Sequence, residues 1–226
     1  MLVLTWNLFH GRAVPGAGRD LLAAFRERIA GWPWDVALLQ EVPPWWPPEL
    51  AATAGADQRT VLTSRNALLP LRRWAAERWP DVIKSNGGGS NAILVRPSAG
   101  TIAEHRARRL RICPERRHVH AVRLTGAGGG AWIANVHAQV RPHSETRQDL
   151  AAAGAALWAW AAGAPAVLGG DCNVPDPAID GFTDLGGHHV DRVLARGFAA
   201  DGAVTVPERG GLSDHAPVLV PLRRET

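Results

Sequence analysis

The sequence predicts an α/β protein, and three observations lead to that prediction. Short apolar runs that end in turn residues recur along the chain and have the character of buried strands. Some stretches between these runs have helical spacing, and the first two strands enclose one such helix, which is the unit from which α/β proteins are built. The 226 residues suffice for one large domain and are few for two. Because the chain contains no linker, repeat or low-complexity segment, we assign residues 1–226 to a single domain.

The N-terminal part of the chain contains a predicted strand–helix–strand unit. Residues 1–6 and 34–40 are almost continuously apolar and are predicted to be buried strands. Residues 19–31 between them have apolar side chains at the spacing of a helix. A second helix is predicted over residues 67–79 on the same grounds.

From residue 91 onward, strands dominate the prediction. One further helix is predicted over residues 145–161, with Ser144 as its N-cap. The glycine-rich stretches 86–90 and 125–130 are predicted to be loops. The predicted strands are 91–96, 101–112, 117–124, 131–138, 164–171, 188–197, 203–206 and 215–222.

Composition is that of an ordinary globular protein, with 46% hydrophobic and 20% charged residues. No apolar run approaches the ~20 residues that a membrane helix needs, and Met1 leads directly into the first predicted strand without a secretory signal. The two cysteines, Cys113 and Cys172, do not form a disulfide framework. We therefore expect a cytoplasmic protein that does not bind membranes and has no obligate protein partner.

The isoelectric point of about 10.3 is weak evidence for a nucleic-acid partner. The net charge is only +4, and the chain has one lysine, no tyrosine and two cysteines. Few groups therefore titrate between histidine and arginine, so a small excess of positive charge is enough to produce a high isoelectric point.

Residues whose side chains are suited to catalysis or metal binding lie at the ends of the predicted strands. A lone Asp or Asn at such a place is usually a turn or cap residue. Here six strands carry a carboxylate, amide or imidazole, and Asp171 and Asn173, two residues apart, point the same way. Together they offer oxygen ligands suited to Mg²⁺ and histidines suited to proton transfer. These residues are Asn7, Glu41, His137, Asp171, Asn173, Asp191, Asp214 and His215.

Seven motifs occur in one order along the chain: TWNLFHG, LLQEV, SNAILVR, NVHA, GGDCNVP, VDRVL and SDHAPV. In that order they resemble the successive motifs of the endonuclease/exonuclease/phosphatase superfamily, which includes DNase I and exonuclease III-type nucleases. The resemblance extends from Asn7 to His215. It implies a DNase I-like four-layer α/β sandwich, in which two central, mostly antiparallel sheets are flanked by helices. It also implies phosphoester hydrolysis at one sheet edge with Mg²⁺, for which Mn²⁺ can substitute.

The resemblance assigns a metal-binding role to Glu41, with Asn7 and Asp214 completing the shell directly or through water. It makes Asp171 the residue that positions or deprotonates the attacking water. Asn173 orients the phosphate or the nucleophile.

The resemblance places His215 against the scissile phosphate, with Asp191 on its other ring nitrogen. His137 matches the second histidine of DNase-like members, where exonuclease III-type enzymes often carry tyrosine. Asn91 matches a further polar position that contacts phosphate or His137. Whether Asp171 or His215 is the general base stays open at this point.

Two surface features each have two interpretations. Trp45 and Trp46, in the loop after Glu41, either pack against the protein's own surface or form an aromatic wall that stacks on a base. Residues 105–123 contain seven arginines. On a hairpin, alternate ones such as Arg109 and Arg111 either form a stripe that contacts phosphates or keep an edge strand soluble.

The sequence thus predicts a Mg²⁺-dependent phosphoester hydrolase whose leading substrate is a nucleic-acid phosphodiester. One alternative is a small phosphoester, such as a nucleotide, a sugar or inositol phosphate, or a lipid head group. An alternative of another class is a catalytically inactive nucleic-acid-binding module, which the complete set of strand-end residues disfavours. DNA or RNA, and cleavage within or at the ends of a strand, are not distinguished by the sequence.

Overall fold

The computed structural model describes residues 1–64, 66–82, 89–126 and 130–225. Within these ranges the chain forms strands and four helices, with short 3₁₀ turns at Phe9–Gly11 and Pro97–Ala99. The helices are α1 (Leu22–Gly31), α2 (Pro47–Ala54), α3 (Leu69–Arg78) and α4 (His143–Ala161). The strands are β1 (Leu2–Asn7), β2 (Val36–Val42), β3 (Asp57–Leu62), β4 (Ser90–Val95), β5 (Thr101–Arg111), β6 (Arg117–Thr125), β7 (Ala131–His137), β8 (Ala166–Asp171), β9 (Thr183–His188), β10 (Asp191–Arg196), β11 (Phe198–Ala200) and β12 (Val218–Arg224).

The strands form two six-stranded sheets. The first has the order β11-β12-β1-β2-β4-β3 and the second has the order β5-β6-β7-β8-β10-β9. The pairs β1–β2 and β7–β8 are parallel, and the other described pairs are antiparallel. The predicted pair of mostly antiparallel sheets with flanking helices is therefore confirmed.

Three apolar layers hold the sheets and helices together. One lies between the two sheets and contains Leu38 and Ile133. A second lies outside the first sheet and joins Leu39 to Phe25 of α1, and a third packs α4 on the second sheet. Adjacent residues of β2 thus serve opposite faces, which is why this strand is apolar almost throughout.

The registers bring the polar strand ends to one edge of the sandwich. In the first sheet Asn7 is level with Gln40, the residue before Glu41. In the second sheet Asp171 is level with both His137 and Asp191. The site is therefore assembled from strands that are far apart in sequence and end at the same edge.

Several predicted elements differ from the structure. The strands β3, β9 and β11 and the helix α2 were not predicted. For β3 and β9 the reason is that these strands are partly exposed and lack a strong apolar pattern. Residues 203–206 contribute only one isolated bridge, at Thr205. Helix α4 begins at His143 with Pro142 as its N-cap, so Ser144 is not the cap. The predicted loops at 86–90 and 125–130 fall partly outside the described residues.

No helix in the described ranges has the length and apolar character needed to cross a membrane.

Candidate active site

A cavity of about 700 Å³ lies at the sheet edge where the polar strand ends meet. Asp191 stands behind His215 and is buried, with 2% of its surface exposed. The other strand-end residues predicted from the sequence all line the cavity: Asn7, Glu41, His137, Asp171, Asn173, Asp214 and His215.

Asp171 is the most enclosed carboxylate of the cavity, with 1% of its surface exposed. Its Oδ2 accepts a hydrogen bond from Asn7 Nδ2 at 3.0 Å, and its Oδ1 accepts one from the backbone N–H of Asn173 at 3.0 Å. Oδ2 also lies 3.4 Å from His137 Nε2 and 3.8 Å from His215 Nε2. Burial raises the pKa of Asp171, against the opposing effects of the His215 charge and the Asn7 hydrogen bond. A fixed carboxylate with a raised pKa is suited to take a proton.

His215 and Asp191 form a hydrogen-bonded pair, with 2.7 Å between His215 Nδ1 and Asp191 Oδ2. Burial alone would lower the pKa of His215, but the hydrogen bond to Asp191 and the nearby carboxylates raise it to about 9. Burial raises the pKa of Asp191 to about 6, although its bond to His215 opposes the rise. At neutral pH His215 is therefore an imidazolium, which is able to donate from Nε2 into the cavity.

The Asp191–His215 pair leads to a pH prediction. The imidazolium is present below its pKa of about 9 and is lost as the pH rises through that value. Asp191→Asn removes the negative charge that holds the pKa up and leaves at most a neutral acceptor for the His215 ring, while the burial that lowers the pKa remains. We therefore expect the alkaline limb of the kcat profile to move to lower pH in this variant.

The measurement is turnover from pH 6 to pH 10, with Asp201→Asn, an exposed residue outside the site, as the control. An unchanged alkaline limb in Asp191→Asn would show that His215 does not act as an imidazolium.

A β-bulge turns Glu41 toward the cavity. By strict alternation its side chain would share the face of Leu39, but the register of β2 with β4 shifts between Leu39 and Val42. Glu41 also has a φ of 51°, which is uncommon outside glycine. Its Oε2 lies 3.2 Å from His10 Nε2, and its Oε1 lies 3.9 Å from His137 Nε2.

The donor atoms around the cavity fit a divalent cation. Among the described residues one group of three, Asp171, Asp191 and His215, has its carboxylate or imidazole atoms within 4.8 Å of one another. Within this group Asp191 and His215 are hydrogen-bonded to each other, so the group is better suited to hold a proton than a metal. The remaining wall offers the carboxylates of Glu41 and Asp214 and the amide oxygen of Asn7, which are hard oxygen ligands of the kind that Mg²⁺ prefers.

Asn173 and Ser213 hold the loops around the cavity in place. Asn173 has a φ of 52°, and its Nδ2 donates to the carbonyl oxygen of Ala138 at 2.9 Å. The Ser213 hydroxyl donates to the carbonyl oxygen of Asn7 at 2.6 Å and accepts from the backbone N–H of His215 at 3.0 Å. Ser213 thus ties the Asp214–His215 segment to β1.

The structure does not bring Asn91 or Arg111 to the cavity. Asn91 lies in β4 with 1% of its surface exposed, and neither polar atom of its side chain has a hydrogen-bond partner in the described ranges. Arg111 forms ion pairs with Glu145 at 2.7 Å and Asp149 at 3.1 Å, both on α4. Its guanidinium therefore fastens β5 to α4, and we revise its predicted role as a substrate contact. Arg109 is exposed on β5.

Trp46 belongs to the core. Only 2% of its surface is exposed, its ring centroid lies 5.3 Å from that of Phe25, and a Cβ on Gly11 would lie 2.2 Å from its indole. Trp45 is partly buried, with the guanidinium carbon of Arg73 5.8 Å from its ring centroid. For Trp46 the interpretation as internal packing therefore holds, and the base-stacking wall does not.

Four polar residues of the cavity were not assigned to the site from the sequence: His10, Glu115, Arg117 and Gln139. Arg117 is 5% exposed, and its guanidinium contacts Glu115 at 2.9 Å and Gln139 at 3.4 Å. It lies in the arginine-rich stretch, but the pattern does not reveal which of the seven arginines faces the site. His10 lies three residues after Asn7 in the first motif, and that proximity was the available signal.

The fold and the site define a phosphoester hydrolase. A family model described as the Endonuclease/Exonuclease/phosphatase family matches residues 4–215, and the chain belongs to this family. Its members are phosphoester hydrolases and generally depend on divalent metal ions. Among curated proteins no significant match was found.

Solved structures share the fold over essentially the whole chain. A Bacteroides vulgatus endonuclease/exonuclease/phosphatase aligns with a TM-score of 0.76 and 14% identity, covering 99% of this chain and 98% of that one. Humanized D. rerio TDP2 aligns with a TM-score of 0.70 and 14% identity, covering 99% of this chain and 98% of that one. A mannosyl-6-phosphatase from Bacteroides thetaiotaomicron aligns at 0.69 and 15% identity, covering 99% of each chain. At these identities the likeness establishes the fold alone.

Proposed function

We propose that this hydrolase cleaves phosphodiester bonds of nucleic acid in the cytoplasm with Mg²⁺. The observation that carries the proposal is a set of three arginines leading from the cavity onto the β5–β6 hairpin. Arg117 lines the cavity, and Arg116 lines a recess beside it. Arg109 is level with His118 in the hairpin, and the charges of Arg116 and Arg109 both act on that histidine. Successive phosphates of one strand would meet these cations in turn.

The two outer arginines are available to a ligand. Arg109 and Arg116 are exposed, and in the described ranges neither forms an ion pair with an acidic side chain. By contrast, Arg106 and Arg123 both contact Glu104, so the basic character of the hairpin is concentrated at its site end. This distribution favours the phosphate-binding interpretation of the hairpin for Arg109 and Arg116, and the structural one for Arg106, Arg111 and Arg123.

The geometry supports a division of labour in the cavity. The raised pKa of His215, about 9, favours its imidazolium form, so we assign Asp171 to orient and deprotonate the attacking water. The Nε2–H of His215 and the guanidinium of Arg117 would hydrogen-bond the phosphate oxygens, where negative charge increases during the reaction. A cation held by Glu41, Asn7 and Asp214 would supply further positive charge to the phosphate and the leaving oxygen.

The arginine track predicts a change in salt dependence. Replacing Arg109 and Arg116 together with alanine is expected to weaken nucleic-acid binding at low salt. It should also reduce the slope of log K against log[salt] by about 1.4–1.8, since each phosphate contact contributes roughly 0.7 for single strands and 0.9 for duplex. Fluorescence anisotropy of labelled DNA and RNA at several salt concentrations, on protein held without divalent metal, measures this.

The matched control is Arg223→Ala, an exposed arginine near the end of β12, which lies at the opposite end of the sheet from the site. A slope that is the same for wild type and the double variant would remove the arginine track from the proposal.

A small phosphoester is the second candidate, and the size of the cavity favours it. At about 700 Å³ the cavity is within the ~300–1,000 Å³ range of small-ligand sites. Incubating the protein and Mg²⁺ in parallel with plasmid, single-stranded DNA, RNA, nucleotides and sugar or inositol phosphates separates the candidates. Cleavage of polymers supports the nuclease, and release of phosphate from small esters alone supports the phosphatase. Binding of polymers without turnover of any substrate would indicate an inactive binding module.

A further inference from the structure

The turn that follows β1 places an imidazole directly against Glu41. His10 Nε2 lies 3.2 Å from Glu41 Oε2, and the two side chains are 13% and 23% exposed. His137 Nε2 approaches the other oxygen, Oε1, at 3.9 Å. All three side chains line the cavity. The carboxylate expected to hold the metal is therefore flanked by a ring nitrogen on each oxygen.

The position of His10 is imposed by its surroundings. Phe9, His10 and Gly11 have φ angles of 49°, 54° and 78°, which put three successive residues in the left-handed region. The backbone N–H of Phe9 donates to Asn7 Oδ1 at 2.9 Å. Gly11 leaves room for the indole of Trp46, since a Cβ there would overlap the ring. Strained backbone of this kind persists where the surrounding structure enforces it, typically at functional sites.

We propose that His10 is a nitrogen ligand of the divalent metal and makes the site favour Mn²⁺ over Mg²⁺. Imidazole suits transition metals, whereas Mg²⁺ is held almost entirely by oxygen. A site made of Glu41, Asn7 and Asp214 alone would be an oxygen site, and the addition of His10 gives it mixed oxygen and nitrogen character. This inference rests on the metal dependence in the proposed function and adds a residue to which the sequence analysis assigned no role.

The test uses the 226-residue chain loaded with Mn²⁺. Pulsed electron paramagnetic resonance of bound Mn²⁺ detects nitrogen from a coordinated imidazole, and calorimetry gives the affinities for Mn²⁺ and Mg²⁺. The variant is His10→Asn, because Asn tolerates the left-handed conformation better than most residues. We expect the nitrogen coupling to weaken or disappear. We also expect the Mn²⁺ affinity to fall at least about tenfold, because even the loss of a residue that only supports a metal ligand typically costs about 10–100-fold in affinity. The Mg²⁺ affinity should change much less, so the ratio of the two affinities falls.

Two matched variants make the result specific. His143→Asn replaces an exposed histidine at the start of α4 and should leave coupling and both affinities unchanged. His137→Asn shows how much of any nitrogen coupling belongs to the second imidazole. Wild-type Mn²⁺ without nitrogen coupling, or coupling and affinities that His10→Asn leaves intact, would overturn the inference. That outcome differs from failure of the proposed function, in which the protein binds no divalent metal or cleaves no phosphoester.

Discussion

Asp171→Asn is expected to lower turnover by about 10²–10⁴-fold, the range typical for loss of a general base. The substitution keeps the size of the side chain and one acceptor oxygen, so the hydrogen bond from the backbone N–H of Asn173 can persist. Its amide nitrogen faces the Nδ2 donor of Asn7, and the group assigned to accept the proton is lost. Because Asp171 is buried and held by these two neighbours, nothing else among the described cavity residues takes its place. Turnover should therefore stay low at every Mg²⁺ concentration, while substrate still binds.

Glu41→Gln should behave differently, because Glu41 is assigned to the metal. The amide keeps the shape but removes a negative charge from the metal shell, so the affinity for Mg²⁺ should fall. Much of the lost activity should return when Mg²⁺ is raised, through mass action. Mg²⁺ titrations of turnover for wild type and both variants measure the difference.

Asp176→Asn is the matched control for these two variants, since Asp176 follows Asp171 closely in sequence but is exposed and pairs with Arg147. It should titrate like wild type. If added metal rescues Asp171→Asn and does not rescue Glu41→Gln, the two roles are reversed.

Removal of divalent metal with EDTA is expected to reduce hydrolysis to the background rate. Glu41, Asp171 and Asp214 all line the cavity, so without a cation an incoming phosphate meets several carboxylates. Arg117 offsets this only in part, because Glu115 lies 2.9 Å from its guanidinium. Adding Mg²⁺ or Mn²⁺ to the stripped protein should restore turnover.

Thermal unfolding of the stripped and reloaded protein provides an independent measurement. Ligands that bind only the folded state raise its stability, so the unfolding temperature should increase with Mg²⁺ or Mn²⁺ and not with K⁺. Undiminished turnover in a preparation shown to be free of divalent metal would eliminate the mechanism.

The sequence by itself determined the fold class and the residues that gather at one edge of the sandwich. Buried strands such as β2 and β8 are apolar on both faces, so a polar residue at their ends stands out locally. The order of these residues along the chain, from Asn7 to His215, carried the resemblance to the family. The strands β3 and β9 were missed because they are partly exposed and lack such a continuous apolar pattern.

Only the tertiary structure decided which polar side chains face the cavity and which partners hold the remaining ones. The hydrogen bond from Asn7 to Asp171 joins residues 164 positions apart, and no local pattern specifies it. Arginines of one hairpin have different partners, so Arg117 enters the cavity while Arg111 is held by Asp149 of α4. His10 reaches Glu41 because a left-handed turn and a β-bulge redirect both side chains. Side-chain direction at such places depends on backbone angles and long-range packing, which residue types and spacing do not determine.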